Sequence, residues 1–391
     1  MLHLYMALQA LAESLPIPKS AARAWLPDQL TNTRSTIRGN MERKSIDHDQ
    51  DDLEEVTIFD VAKEAGVSSS TVSRVINNKE YVRADKRERV LQAMAQLGYV
   101  ANIQARSLAG GRTNIVGLLV QGLDNGYIGE IIKGIDNELN ESHYDIMLYT
   151  AHLGKTKESA YVTRLTRNVV DGLLLVLPRN TEAYLETLHK RRFPHVLVDH
   201  QGFSHGMPVP TVKAKNWHGG YDATRYLIQL GHRRIGFITG DLEMGCAHDR
   251  LAGYKAALQE YDLPIIPELI CEGNFLQPLG YSGAKELLSL PEPPTAIFAS
   301  NDISAFGVME AARDHGLQIP RDISIVGFDD IPQAAHVHPP LTTVRQPLEE
   351  MGQRAARLLL HYIAHPDAEV EQIELPTELI IRESCQAPHQ L

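Results

Sequence analysis

The sequence predicts a small all-α helix-turn-helix head followed by a large α/β body of two doubly wound lobes. Three observations lead there. Between Val56 and Asn77, two short stretches with apolar residues at helical spacing flank Gly66. From Ile115 onward the texture changes to short apolar runs alternating with helical patterns, which implies parallel sheets covered by helices. That alternation comes in two successive series, so it needs two sheets. At 391 residues, 43% of them hydrophobic, the chain has material for two or three domains with full cores.

The head reads VTIFDVAKEAGVSSSTVSRVIN. Thr57 is placed to cap a first helix in which Ile58, Val61, Ala62 and Ala65 share an apolar stripe. Gly66 supplies a turn that a side chain would crowd, and Ser68 caps a second helix with Val72, Val75 and Ile76 inward. Ser69, Ser70, Ser73, Arg74 and Asn77 then face outward. Hydroxyls, an amide and a guanidinium are the groups that hydrogen-bond phosphates and base edges in the major groove, so this pattern reads as a DNA reader. An ordinary helical hairpin in a core is the alternative. A third helix over Ala84–Leu97, stopped by Gly98, brings Val90, Leu91, Met94 and Leu97 across the first two and leaves Lys86, Arg87 and Arg89 outward. The segment NIQARSLA (102–109), with its exit GGRT, is helix-compatible but too short to hold alone in water, which suits a switch ordered by docking.

The net charge of −11 speaks against a nucleic-acid protein until its distribution is considered. Val56–Thr113 holds nine Lys and Arg against five Asp and Glu, a balance of +4 that leaves −15 for the remainder. A basic head on an acidic body touches DNA with the head alone. Cys246, Cys271 and Cys385 are far apart and form no CxxC pair, which favours a reducing compartment. No apolar run reaches the roughly 18 residues of a membrane helix, and the opening MLHLYMALQALAESLP makes a poor signal peptide, so a cytoplasmic protein is expected. Residues 1–55 read as a disordered extension ending in an acidic cluster, with Met41 as an alternative start.

In the body, IVGLLV, YDIMLYT, VDGLLLVL and HVLVDH are strands separated by helices near 125–141, 156–168 and 181–192. RIGFITG, PELICEG, TAIFASN and SIVGFDD form the second series, with helices near 217–230, 248–260, 279–289 and 302–315. Lobes near 114–213 and 217–340 follow. Ligands of such sheets bind beyond the carboxyl ends of the strands, so the cleft between lobes is the expected pocket.

Seven motifs in order carry a resemblance: TIFDVAKEAGVSSSTVSRVIN, ARSLAGGRTNIVGLLV, LIQLGHRRIGFITG, RLAGYKAAL, ASNDISAFG, ISIVGFDD and PPLTTVRQP. On them the chain resembles the lactose-repressor (LacI/GalR) family of bacterial transcription regulators from Val56 to about Cys385. The resemblance implies a helix-turn-helix domain over 56–101, a hinge helix and linker over 102–113, and over 114–391 a periplasmic-binding-protein-like effector and dimerisation domain. It implies crossovers near Val212–Lys215, Thr342–Gln346 and Leu375–Leu379. It further implies a homodimer on a near-palindromic operator, with Ser69 and Ser70 setting sequence choice, Arg74 reaching a base edge, and Thr71 and Asn77 as further contacts. Leu108 matches a leucine that wedges into the minor groove, and Arg106 resembles a groove or phosphate contact. The implied effector residues are Tyr127, Asp199, Arg250, Phe275, Asn301, Asp329 and Gln346, types that suit a sugar's hydroxyls and the apolar face of its ring.

Each has a structural alternative. Asp329 could cap a turn, Asn301 or Asp302 could cap the helix after IFAS, Arg250 could pair with Asp249, and Phe275 and Tyr127 could be packing. Three departures from the family pattern stand out: Ala101 where proline is usual, Lys215 where aspartate is usual, and Gly126-Tyr127 in place of Pro-Phe. His195, His200, His205, His218, His336 and His338 show no ligand spacing, so neither a metal nor a cofactor is expected. Without a P-loop, GxSxG or HExxH no catalytic centre is argued. The leading reading is an effector-controlled repressor of carbohydrate-use genes. Its rivals are a solute-binding protein of a transport system and a sugar enzyme. After Ser384 only CQAPHQL remains, with no heptads, so a dimer rather than a tetramer is expected.

Overall fold

A computed structural model describes residues 56–76, 81–99, 112–123, 126–151, 157–167, 169–179, 181–201, 203–204 and 206–388. The head has three helices, α1 (Ile58–Glu64), α2 (Ser69–Ile76) and α3 (Ala84–Leu97). Its core is Val61, Ala62, Ala65, Val72, Val75, Val90 and Ala93, all buried. Ser68 caps α2 as expected, its Oγ accepting from the Thr71 N–H at 3.3 Å. Gly98 ends α3 in the left-handed region, with the Tyr99 N–H returning to the Met94 carbonyl at 2.9 Å. Leu91 departs from expectation and is 53% exposed. The inward stripe is Val90 and Ala93, buried, with Met94 and Leu97 half-buried, and at 100° per residue Leu91 lies about a quarter-turn beyond Val90, outside it.

The first lobe begins with β1 (Ile115–Val120), α4 (Gly126–Glu141), β2 (Asp145–Thr150), α5 (Lys157–Leu165), β3 (Gly172–Val176), α6 (Glu182–Lys190) and β4 (His195–Val198). A small hairpin, β5 (Phe203–Ser204) and β6 (Met207–Pro208), precedes β7 (Thr211–Ala214). The second lobe holds α7 (Asn216–Gln229), β8 (Ile235–Thr239), α8 (Gly245–Glu260), β9 (Ile270–Glu272), α9 (Gln277–Leu288), β10 (Ala296–Ala299), α10 (Asp302–Asp314), β11 (Ser324–Asp329) and β12 (Thr342–Arg345). Then come α11 (Leu348–Ala364), β13 (Gln372–Leu375) and β14 (Glu378–Ile380).

One sheet runs β13-β7-β4-β3-β1-β2 and the other β14-β12-β11-β10-β8-β9. All pairs in both are parallel except β14 on β12. Helices cover both faces, so β1, β3, β8 and β11 are buried along their length and read as unbroken apolar runs. The chain passes between lobes three times: from β7 to α7, from β12 to α11, and from β13 to β14. These coincide with the expected crossovers. The first lobe is nevertheless not the continuous 114–213 of the sequence reading, because α11 and β13 return to complete it.

Three pairs of helices approach through facing glycines. A Cβ on Gly134 or Gly352 would run into the backbone of the partner helix in the α4–α11 pair; Gly220 and Gly253 play the same part for α7–α8, and Gly280 and Gly307 for α9–α10. Helical Gly→Ala ordinarily gains up to about 1 kcal/mol. Here Gly253→Ala drives a methyl into the Trp217 carbonyl, so the sign reverses. A loss of about 1–3 kcal/mol in urea unfolding is expected. Among the described residues no helix is long and apolar enough to cross a membrane.

Candidate functional site

Parallel strands deliver their carboxyl ends to the face where the lobes meet, and Arg250 on α8 is the centre of that face. It is 2% exposed. Its Nε donates to Asn216 Oδ1 at 2.9 Å, and its Nη1 donates to the Ser300 carbonyl at 2.6 Å and to Asp329 Oδ1 at 3.4 Å. Nη2 lies 4.0 Å from Asp199 Oδ2. The guanidinium sits 3.8 Å above the Phe328 ring and 5.5 Å from that of Phe275, two cation–π contacts.

The first lobe supplies Tyr127, whose hydroxyl donates to Asp199 at 3.0 Å, and Asp199 itself, which also accepts from the Asn216 amide at 3.0 Å. From the second lobe Gln346 donates through Nε2 to Asp329 at 2.7 Å. Polar groups of both lobes therefore satisfy one another, and a ligand entering here exchanges those bonds for its own. Ser300 Oγ and Gln346 Oε1 are buried with no partner. Leaving a buried polar group unpaired costs about 1–3 kcal/mol, so these atoms favour a ligand that pairs them.

Asp199 (φ 57°), Phe275 (φ 62°) and Asp329 (φ 113°) all hold left-handed backbone, as do Asn274 and Asp330 beside them. Such non-glycine residues cost of order 1–3 kcal/mol each, persist only where surroundings impose them, and collect at functional sites. Phe275 lies against Gly240, where a Cβ would occupy the ring's position. Asn301 is the N-cap of α10, its Oδ1 accepting from Ser304 N–H at 2.9 Å, while its Nδ2 donates to the Phe275 carbonyl at 3.3 Å. Its side-chain polar atoms are thus both engaged, Oδ1 in the cap and Nδ2 in holding Phe275 in place. Asp302 is no cap; it accepts from the Ile331 N–H at 2.9 Å and the Thr343 hydroxyl at 2.5 Å. Asn216, not among the expected site residues, ties Arg250 to Asp199. Its only sequence signal is its place at the start of the first helix after a crossover. Lys215 precedes it, and the Lys215 N–H donates to Leu375 O at 2.9 Å, joining the first crossover to the third.

Two buried carboxylates, Asp199 and Asp329, share the Arg250 guanidinium, and a third, Asp302, is buried close to Asp329. Burial pushes Asp329 up to about 7, against the pull of Arg250 and the Gln346 hydrogen bond and with the help of Asp199. Burial and the neighbouring Asp329 drive Asp302 well above the usual carboxylate range. Burial and Asp199 likewise raise the Tyr127 phenol. Because the folded Asp329 holds its proton up to about 7 while the unfolded side chain releases it near 3.8, this group's stability contribution is complete below the lower value and lost as pH rises through the upper one. Between about pH 5 and about pH 8 the wild type is expected to lose stability relative to Asp329→Asn, read from urea midpoints. Parallel pH profiles would refute the assignment.

On the head, Ser70 and Arg74 are exposed while Ser69, Thr71 and Ser73 are half-buried. Ser68 Oγ lies 2.8 Å from Ser70 Oγ and 2.9 Å from Thr71 Oγ1, so one cap organises three hydroxyls at the start of α2. Asn77, Arg106, Leu108 and Ala101 lie outside the described residues.

Residues 57–102 match the bacterial regulatory proteins of the lacI family, and residues 224–385 match the periplasmic binding protein-like domain. The HTH-type transcriptional repressor PurR of Proteus mirabilis (strain HI4320) is 38% identical over 329 residues, 84% of this chain and 96% of that protein. The lac repressor dimer bound to operator and the anti-inducer ONPF has a TM-score of 0.75 at 29% identity, covering 85% of this chain and 100% of that one. The transcriptional regulator CelR in complex with cellobiose has a TM-score of 0.66 at 32% identity, covering 84% and 99%. The chain belongs to the lacI family of bacterial regulatory proteins. It is a DNA-binding transcriptional regulator rather than the solute-binding protein of a transport system.

Proposed function

We propose that the protein is a cytoplasmic, homodimeric repressor of carbohydrate-use genes, gripping a near-palindromic operator with one head per half-site and answering to a sugar-like effector between its lobes. The observation that carries this reading is one chain joining a serine-rich helix that presents Arg74 to a body whose two lobes meet on Arg250. Ser69 and Ser70 select the half-site, Arg74 reads a base edge, and Thr71 and Asn77 add contacts. Arg106 and Leu108 engage the minor groove, where a wedged leucine unstacks a base step. In the body, Asp199, Arg250, Asp329 and Gln346 bind hydroxyls, and the Phe275 ring covers the apolar face of the sugar. Tyr127 and Asn301 hold Asp199 and Phe275 in place. A relative solved with cellobiose supports the carbohydrate class.

An effector shifts the protein only if it binds the lobe arrangements with different affinity. Closing or opening the lobes around Arg250 then alters how the two linkers meet across the dimer. The test is selection of DNA from a random library by the full-length protein, followed by anisotropy titrations against a sugar panel. Enrichment of an inverted repeat whose affinity one sugar changes is expected. Sequence-independent binding overturns the reader assignment, and specific binding that no sugar alters overturns the effector class.

A further inference from the structure

A cavity of about 660 Å³ lies in the first lobe, away from the Arg250 centre. Leu185 and Leu188 of α6, Phe193, Val209 and the Tyr362 ring form its apolar wall. It opens at the end of the sheet where the strands begin: His195 starts β4, and Asp199 follows that strand's far end, roughly 13 Å away at about 3.3 Å per residue. The cavity is built, not a gap left by a loose loop. The Tyr362 hydroxyl donates to the Glu369 carbonyl at 3.0 Å and accepts from the Glu371 N–H at 2.8 Å, pinning the segment that roofs it. Arg192 and Asp367, both at the mouth, are joined at 2.6 Å.

The polar feature inside is His195. It is 8% exposed, and its Nδ1 lies 2.8 Å from the Phe193 carbonyl. A carbonyl only accepts, so Nδ1 carries the proton and Nε2 presents a lone pair. Among the described residues Nε2 has no hydrogen-bond partner. Burial holds the imidazole below its ordinary value, which keeps that lone pair free. The charged groups at the rim are already paired, Arg192 with Asp367 and Glu186 with Lys190 at 2.6 Å, while His189 is exposed. A volume within the roughly 300–1,000 Å³ of small-molecule sites, apolar walls and one buried acceptor define the occupant.

We propose that this cavity is a second small-molecule site, taking a neutral, flat, mostly apolar compound of two or three rings whose single O–H or N–H donates to His195 Nε2. The last turn of α11, which supplies Tyr362, also offers the Ile363 carbonyl that accepts from Arg112 at 3.2 Å, so the occupant sits against the turn that anchors the end of the linker.

Calorimetry and thermal shift on the full-length protein, with 4-phenylphenol as the probe and 4-methoxybiphenyl as its donor-free counterpart, test the proposal. The phenol is expected to bind saturably at one site per chain, and the ether about tenfold or more weaker, the loss of one buried hydrogen bond. His195→Phe is expected to reduce phenol binding by a similar factor, and His195→Gln, which restores an acceptor, to recover part of it. Ala368→Trp, filling the mouth from a half-buried loop position, is expected to abolish binding, and it keeps the test decisive if the histidine variants fold poorly. No saturable phenol binding, equal affinity for phenol and ether, or undiminished binding by Ala368→Trp overturns the proposal.

Discussion

Arg250→Ala is expected to destabilise the body by about 3–5 kcal/mol and to abolish effector binding, measured by urea unfolding and by titration with whichever compound of the sugar panel alters operator affinity. The reason is not the loss of an ion pair as such. Arg250 is the guanidinium that faces both Asp199 and Asp329, and all three are buried. Removing one member of a buried charged set leaves the others uncompensated, which costs more than the set contributes while complete. The change also strips the Phe328 and Phe275 rings of their cation and leaves the Ser300 carbonyl and Asn216 Oδ1 without their donor.

A limit to that loss follows from the same site. Asp329, already raised to about 7, takes up a proton when the guanidinium goes, so the penalty is expected to be smaller near pH 5 than near pH 8. Adding Asp329→Asn to Arg250→Ala removes one orphaned charge, and the double variant is expected to be more stable than the sum of the two single losses. Strict additivity would show that the two side chains do not share an energy. Arg250→Lys keeps the charge but not the fork that reaches Asn216, Ser300 and Asp329 together, so it should fall between wild type and alanine.

How much of this was legible depends on the range of the interaction. IVGLLV and SIVGFDD announce themselves because strands buried on both faces need apolar residues at every position. Ser68 and Gly98 announce helix ends because caps act within a turn. Nothing local says that LEEMGQRAARLLLHYIA returns to the first lobe to pack on α4; that is settled by Gly134 and Gly352, more than two hundred residues apart. The site was reached through family motifs and not through spacing. Local sequence offers capping as the alternative reading of Asn301, and the structure gives it both the cap and the Phe275 carbonyl. Asn216 carried no signal of its own, since its role exists only once a crossover brings Asp199 and Arg250 together. The left-handed backbone at Asp199, Phe275 and Asp329 was likewise invisible, because positive φ is uncommon for any non-glycine residue and Phe275 runs directly against the preference by which sequence is read.

The second large effect belongs to the head. On its selected operator, Arg74→Ala is expected to weaken specific binding by about 1–3 kcal/mol per half-site, roughly five- to 150-fold, and by up to the square of that factor when both heads of a symmetric dimer carry the change. Arg74 is exposed and makes no ion pair among the described residues, so the loss should come without a change in stability beyond about 0.5 kcal/mol. Two modes of contact separate cleanly. If Arg74 reads a base edge, discrimination relaxes at one symmetric position of the repeat and binding to unrelated DNA barely moves. If it meets a phosphate, all sequences weaken together and the salt dependence falls by about one counterion per head. The geometry of α2 favours the first. The Ser68 cap gathers Ser70 and Thr71 at the start of the helix, and Arg74, one turn on from Ser70, faces solvent with a side chain long enough to reach past the backbone. Unchanged discrimination with a lowered salt dependence would therefore move sequence choice to Ser69 and Ser70 and leave Arg74 as an anchor.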